Sequence, residues 1–170
     1  GGQVGKKIQQ ARQRVADFIN ADPDEIVFTS CGTESDNAAI NAAINAFPDK
    51  KHIITSNVEH PAINNLYKHL QKTKGYEVTF VPVDEKGFLD LDLLYKSMSD
   101  NTAIVSLMWA NNETGVLFPI EEIAKKANEK GILFHTDAVQ AAGKIPIDVK
   151  KTGVDMLSLS GHKIHAPKGI

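Results

Sequence analysis

Near the end of the chain, Ser158-Leu159-Ser160-Gly161-His162-Lys163-Ile164-His165 places a lysine just past a short apolar run of Met156, Leu157 and Leu159. The pattern reads as a strand that runs out into a loop and delivers an amine to its end. Burial disfavours an ammonium, so a lysine desolvated there becomes a nucleophile near neutral pH, suited to a Schiff base with an aldehyde cofactor. Alone, the string fits a surface lysine after a core strand better, and the residues upstream change that balance. Ser30-Cys31-Gly32-Thr33 precedes a helical stretch. Glycine lets the backbone approach a ligand and a helix start offers free N–H groups with partial positive charge, so an anion such as phosphate suits the turn. Thr33 as a plain helix cap is the equal alternative. Asp137, after Phe134-His135-Thr136, could hold a pyridinium N–H, or cap the Ala138-Val139-Gln140 segment. His60, before Pro61, could stack on a ring or carry protons, or be a solvent-facing loop residue. With Asn112 and Gln140 as hydrogen bonders, these residues make up what pyridoxal phosphate needs: a phosphate cradle, partners for the ring nitrogen and phenolic oxygen, and an amine for the aldehyde.

The elements that must carry these groups follow from apolar periodicity. Val4, Ile8, Ala11, Val15 and Phe18 recur at steps of three and four, which predicts an amphipathic helix ending near Asn20. Strands are expected at Glu25 to Thr29, Lys51 to Thr55, Glu77 to Pro82, Ala103 to Trp109, Gly131 to Thr136 and Val154 to Leu159. Between them, helices are expected at Thr33 to Ala46, Pro61 to about Lys72, Leu89 to Met98 and Ile120 to Glu129. Alternation of this kind predicts an α/β fold, a three-layer αβα arrangement around a mostly parallel sheet. In such sheets ligands bind beyond the carboxyl ends of the strands, which is where Thr33, His60, Asn112, Asp137 and Lys163 all fall.

The chain has 170 residues, 42% hydrophobic and 24% charged, as expected for one domain with a real core. Nineteen Lys and Arg against 21 Asp and Glu, without a basic patch, argue against a nucleic-acid partner. Cys31 is the single cysteine, which excludes an internal disulfide and a multi-cysteine zinc site and makes a reducing, cytoplasmic setting the expectation. No apolar run reaches membrane-spanning length. His162 and His165 stand three apart, but without a His-Glu-x-x-His string no metal site is expected. No P-loop or Gly-x-Gly-x-x-Gly string occurs either. Both ends are abrupt, so the chain is expected to be a single cofactor-binding large domain, residues 1–170, cut from a longer protein with an N-terminal segment and a C-terminal small domain.

Five strings then become specific together: Thr29-Ser30-Cys31-Gly32-Thr33-Glu34-Ser35-Asp36-Asn37, Glu59-His60-Pro61-Ala62, Asn111-Asn112-Glu113-Thr114-Gly115, His135-Thr136-Asp137-Ala138-Val139-Gln140 and Ser160-Gly161-His162-Lys163. In order and spacing they resemble the cysteine desulfurases of the nitrogen-fixation and housekeeping iron–sulfur branch (NifS/IscS-like), within the class V aminotransferase superfamily of pyridoxal-phosphate enzymes of fold type I. The resemblance implies that Lys163 forms the Schiff base, Asp137 pairs with the pyridine nitrogen and Gln140 hydrogen-bonds the phenolic oxygen. It also implies that His60 stacks on the ring and assists proton transfer. Thr33, Ser160 and His162 would bind the phosphate with backbone help near Gly32, and Asn112 would contact the ring and the carboxylate of an L-cysteine substrate.

The family's persulfide-forming cysteine, its substrate-binding arginine and a phosphate contact from a second subunit belong to segments past Ile170. Cys31 is not that cysteine's counterpart, and His165-Ala166-Pro167 stands where Tyr-Gly-Pro is more usual. The resemblance implies a homodimer and a sulfur-acceptor or scaffold partner. It also implies that this stretch alone binds the cofactor weakly and does not turn over. Another class V enzyme (a selenocysteine lyase or an aminotransferase) and a non-catalytic scaffold domain are the alternatives.

Overall fold

The computed structural model describes residues 2–170. Five strands, β1 (His52–Ser56), β2 (Glu77–Val81), β3 (Thr102–Met108), β4 (Leu133–Asp137) and β5 (Met156–Ser158), form one sheet in the order β2-β1-β3-β4-β5. Every pairing is parallel. The helices are α1 (Gly2–Ile19), α2 (Gly32–Ala46), α3 (Pro61–Lys74), α4 (Leu91–Ser97), α5 (Ile120–Glu129) and α6 (Val149–Thr152). β1 and β3 are buried at every position, as strands covered on both faces should be.

The two faces bury separate cores. On one, Ile40 and Ile44 of α2 and Ile63, Tyr67 and Leu70 of α3 pack over Ile53 and Ile104. On the other, Leu94 of α4 and Ile120, Ile123, Ala124 and Ala127 of α5 pack over Ile54, Val105, Leu107 and Phe134, joined by Ala16 and Ile19 of α1. The three-layer αβα architecture around a parallel sheet is therefore as the alternating pattern predicts. Because β2 follows β1 on one side and β3 lies on the other, chain order reverses between β1 and β3. That opens a crevice at the carboxyl ends of those two strands.

The structure corrects one expected strand. Residues Glu25 to Thr29 add no strand to the sheet: Pro23–Glu25 is a single 3-10 turn. The backbone there is used locally. The Glu25 carboxylate accepts the Asp22 N–H at 2.7 Å, and Arg12 of α1 donates to the Ile26 carbonyl. Five strands, not six, make the sheet among the described residues. The other expected strands and helices are present, their ends within two residues of those expected. The unforeseen α6 is one turn, capped by the Asp148 side chain and closed by left-handed Gly153, too short to show a period.

Candidate active site

Each functional side chain is set by the end of a regular element. α2 begins at Gly32, and its N-cap Cys31 makes no side-chain bond to the first turn. Thr33 is thus the second residue of the helix and not its cap. Ahead of it, Ser30 donates both its N–H and its hydroxyl to the Glu34 carboxylate, each at 2.6 Å, which holds that carboxyl below its usual range and fixes the turn. A Cβ at Gly32 would lie 3.3 Å from Val139 Cγ2 and 3.6 Å from Ser160 Cβ, so the helix start presses against two of the segments that leave the sheet. Ser160 Oγ in turn hydrogen-bonds His162 Nδ1 at 2.7 Å. Free helix N–H groups, a hydroxyl and an imidazole therefore abut, a donor set that fits a phosphate.

His60 is the N-cap of α3: its Nδ1 accepts the Ala62 N–H at 3.2 Å, and Pro61 opens the helix. It is exposed, as a loop histidine would be, but its ring is held by the cap. Asp137 ends β4, and its Oδ1 accepts the Val139 N–H at 2.9 Å. Burial lifts its carboxyl above the ordinary range, while the Val139 N–H and the nearby His60 pull it back down. A ring cation facing it would do the same more strongly, so the carboxylate fits a pyridinium N–H. Gln140 accepts a hydrogen bond from Lys144 Nζ at 2.8 Å through its side-chain oxygen, which leaves the amide N–H groups to donate. Asn112 is exposed on the turn after β3, where Asn111 Oδ1 holds the Glu113 and Thr114 N–H groups at 2.9 Å each.

Gly32, Thr33, His60, Asn112, Asp137, Gln140, Ser160, His162 and Lys163 all line one cleft of about 470 Å³. One expectation is corrected. Lys163 sits in the 3-10 turn Gly161–Ile164 along the cleft's lip and is exposed, so these residues do not desolvate its amine as a buried strand-end lysine would be. Among the described residues it enters no ion pair, and so is not held back from the cleft.

Two carboxyls that spacing did not single out belong to this end of the sheet. Asp36 of α2 is 3% exposed and lines the same cleft. Burial, then the charge of Asp137, push it up to about 7. His135, 3.6 Å from Asp36, is pushed down to about 4 by burial, so the imidazole is uncharged at neutral pH and the contact is no ion pair. Glu59, one residue before His60, is buried and pushed up to about 8; it accepts the Ser56 hydroxyl at 2.6 Å and the Met108 N–H at 3.0 Å. The signal for Asp36 was in the sequence: it shares the buried stripe of α2 with Ile40, Ala43 and Ile44, a charge among apolar residues at helical spacing.

A parallel sheet that brings a helix start, a half-buried carboxylate and an amine to one rim is an α/β scaffold with its site at the strand ends, and the chain belongs to the aminotransferase class-V family, whose model matches residues 1–170. The resemblance drawn from the five strings is thereby borne out. Its curated relatives include a cysteine desulfurase of Nostoc sp., 60% identical over 170 residues, all of this chain and 42% of the relative. Cysteine desulfurase NifS of Azotobacter vinelandii is 56% identical over 171 residues, again all of this chain and 42% of that protein. Among solved structures, one described as SspA in complex with cysteine superimposes with a TM-score of 0.93 at 40% identity, covering 99% of this chain and 48% of the other. A NifS-like protein gives 0.92 at 40% identity, covering 99% and 47%. The chain thus spans less than half the length of these relatives.

Proposed function

We propose that residues 1–170 are the cofactor-binding domain of a pyridoxal-phosphate-dependent cysteine desulfurase. The whole protein would move sulfur from L-cysteine to an enzyme thiol, forming a persulfide and releasing L-alanine. One observation carries the reading: the start of α2, the half-buried Asp137 and the Lys163 amine, from three distant stretches of chain, meet in one cleft. When bound, pyridoxal phosphate supplies an aldehyde for an amine and a ring that accepts the electron pair released at Cα.

The roles of the chain's own groups follow from their placement. The first turn of α2, with Thr33, Ser160 and His162, would hold the phosphate. Asp137 would keep a proton on the ring nitrogen, its charge stabilised there by the Val139 N–H. Gln140, with its oxygen occupied by Lys144, would donate to the phenolic oxygen. His60, held by its Nδ1 at the cap of α3, has Nε2 left to carry a proton. Lys163 Nζ would hold the aldehyde until substrate arrives, then take and return the Cα proton. Asn112 would orient the substrate carboxylate. Cys31, exposed in the turn before α2, has no part as the sulfur-accepting thiol. A cytoplasmic setting, a homodimer and a sulfur-accepting partner belong to this proposal on the strength of the resemblance.

The test is alanine release from L-cysteine by the full-length protein. Lys163→Ala should lower the rate by at least about a thousandfold and remove the cofactor's visible absorption band. Turnover of selenocysteine or of an amino acid with a keto acid, without release of alanine from cysteine, would overturn the proposal.

A further inference from the structure

Beneath the cleft, the sheet face covered by α2 and α3 changes character along its length. Its lower half is apolar, with Ile53 and Ile104 under Ile40. Its upper half is polar and buried: Thr55, Ser106, His135 and Ser158 are each 2% exposed or less. His135 spans three strands, with Nδ1 on Ser106 Oγ at 2.9 Å and Nε2 on Ser158 Oγ at 3.0 Å. Each ring nitrogen therefore already has a hydroxyl partner, and the imidazole is satisfied as a neutral group.

Asp36 descends from α2 onto this layer. Its Oδ1 is buried without a hydrogen-bond partner, and His135 Nε2 lies 3.6 Å away. Asp137 is two residues beyond His135 on β4, hence on the same face of the strand, and lines the same cleft as Asp36. The two carboxyls differ in what holds a charge on them. Asp137 is half-buried and has the Val139 N–H on its oxygen, while Asp36 is buried with only the Ser158 hydroxyl to favour its charge. Two neighbouring carboxyls do not both ionise freely, and the better-solvated one keeps the charge.

We propose that Asp36 is a positioning residue for Asp137: it is the buried, proton-bearing member of a pair with the half-buried Asp137, and its ionisation tunes the hold that Asp137 has on a ring cation. This rests on the cofactor reading of the cleft given above. The groups facing the pair are His135 on β4, Ser158 on β5, Glu59 and His60 after β1, and Tyr67 on α3. Burial keeps Glu59 and the Tyr67 phenol protonated at neutral pH and His135 uncharged. The value of about 7 for Asp36, raised by burial and then by Asp137, agrees with the geometry. Below about pH 7 Asp36 carries its proton; above it Asp36 adds a charge behind Asp137 that strengthens the hold on a cation, while Glu59, raised to about 8, titrates alike in wild type and variant.

The experiment measures the dissociation constant of pyridoxal phosphate for the full-length apoprotein from pH 6 to 8.5, in wild type and Asp36→Asn. The amide mimics the neutral acid, so the two proteins should bind within about twofold of each other at pH 6. At pH 8.5 the variant should bind on the order of three- to tenfold more weakly, as expected for one charge lost at short range. Should Asp36→Asn fail to fold by circular dichroism, Asp36→Ser is read the same way. Parallel profiles at every pH overturn the proposal, as does a uniform loss of affinity, which would mark a purely structural role. Lys163→Ala and Asp137→Asn serve as controls. If neither alters binding, the cofactor reading itself fails; if they do and Asp36→Asn runs parallel to wild type, only the pairing of Asp36 with Asp137 fails.

Discussion

Glu59 shows how one side chain can hold a neighbour in place. Both its oxygens lie 3.0 Å from the Met108 N–H, and one takes the Ser56 hydroxyl, so it ties the loop after β1 to the end of β3. His60 follows directly and caps α3. Glu59→Ala strands a buried N–H and a buried hydroxyl, and should lower stability by about 1–3 kcal/mol in urea unfolding. At this scale the sequence revealed ligand-facing groups better than supporting ones. Asp137, His60 and Lys163 stand beside breaks in apolar runs, where a polar residue signals a rim. Glu59 and His135 are polar residues whose burial depends on partners far along the chain, and no local pattern announces it, while Asp36 was legible only as a charge on the apolar stripe of α2. The exposure of Lys163 was missed for the same reason: the strand pattern tells where an amine is delivered, while the solvent around it depends on what packs over the lip.

Among elements, α2 joins packing to ligand chemistry. Its stripe of Ile40, Ala43 and Ile44 seats it on the sheet, and that seating brings Gly32 against Val139 and Ser160. A branched side chain at residue 32 would push on both. Gly32→Val should leave the helix content unchanged while weakening pyridoxal phosphate binding to the full-length protein by at least about tenfold, measured by equilibrium dialysis. Equal binding would mean that the helix start can retreat without loss. Helix and strand periodicity located ten of the eleven helices and strands, including α1 and β2, whose apolar faces are only partly buried. It failed at Glu25 to Thr29, where Ile26 is buried and Val27 is 79% exposed. The apolar run Ile26-Val27-Phe28 looked like a short buried strand, but the Glu25 and Ile26 N–H groups go to the Asp22 and Pro23 carbonyls and the Ile26 carbonyl to Arg12, not to a ladder.

For the whole molecule, buried titratable groups set how stability depends on pH. Glu59 is raised to about 8 and Asp36 to about 7, so the folded chain binds more protons than the unfolded one above the ordinary carboxylate range. Their contribution is fully present below the unfolded values near 4 and is lost as pH rises toward the folded ones. His135, lowered to about 4, acts oppositely between that value and 6.5. The histidine offsets only one of the two carboxyls up to about pH 6.5, above which only the carboxyls remain. Stability should therefore decline from about pH 4.5 to 8, most steeply just above pH 6.5, by a few kcal/mol, and Glu59→Gln should flatten the decline in denaturant titrations taken at each pH.

The cleft draws Gly32, His60, Asn112, Asp137 and Lys163 from nearly the whole length of the chain. During synthesis, Thr33 leaves the ribosome long before Ser160, His162 and Lys163, so neither the anion cradle nor the amine is in place until the last strand of the sheet has emerged.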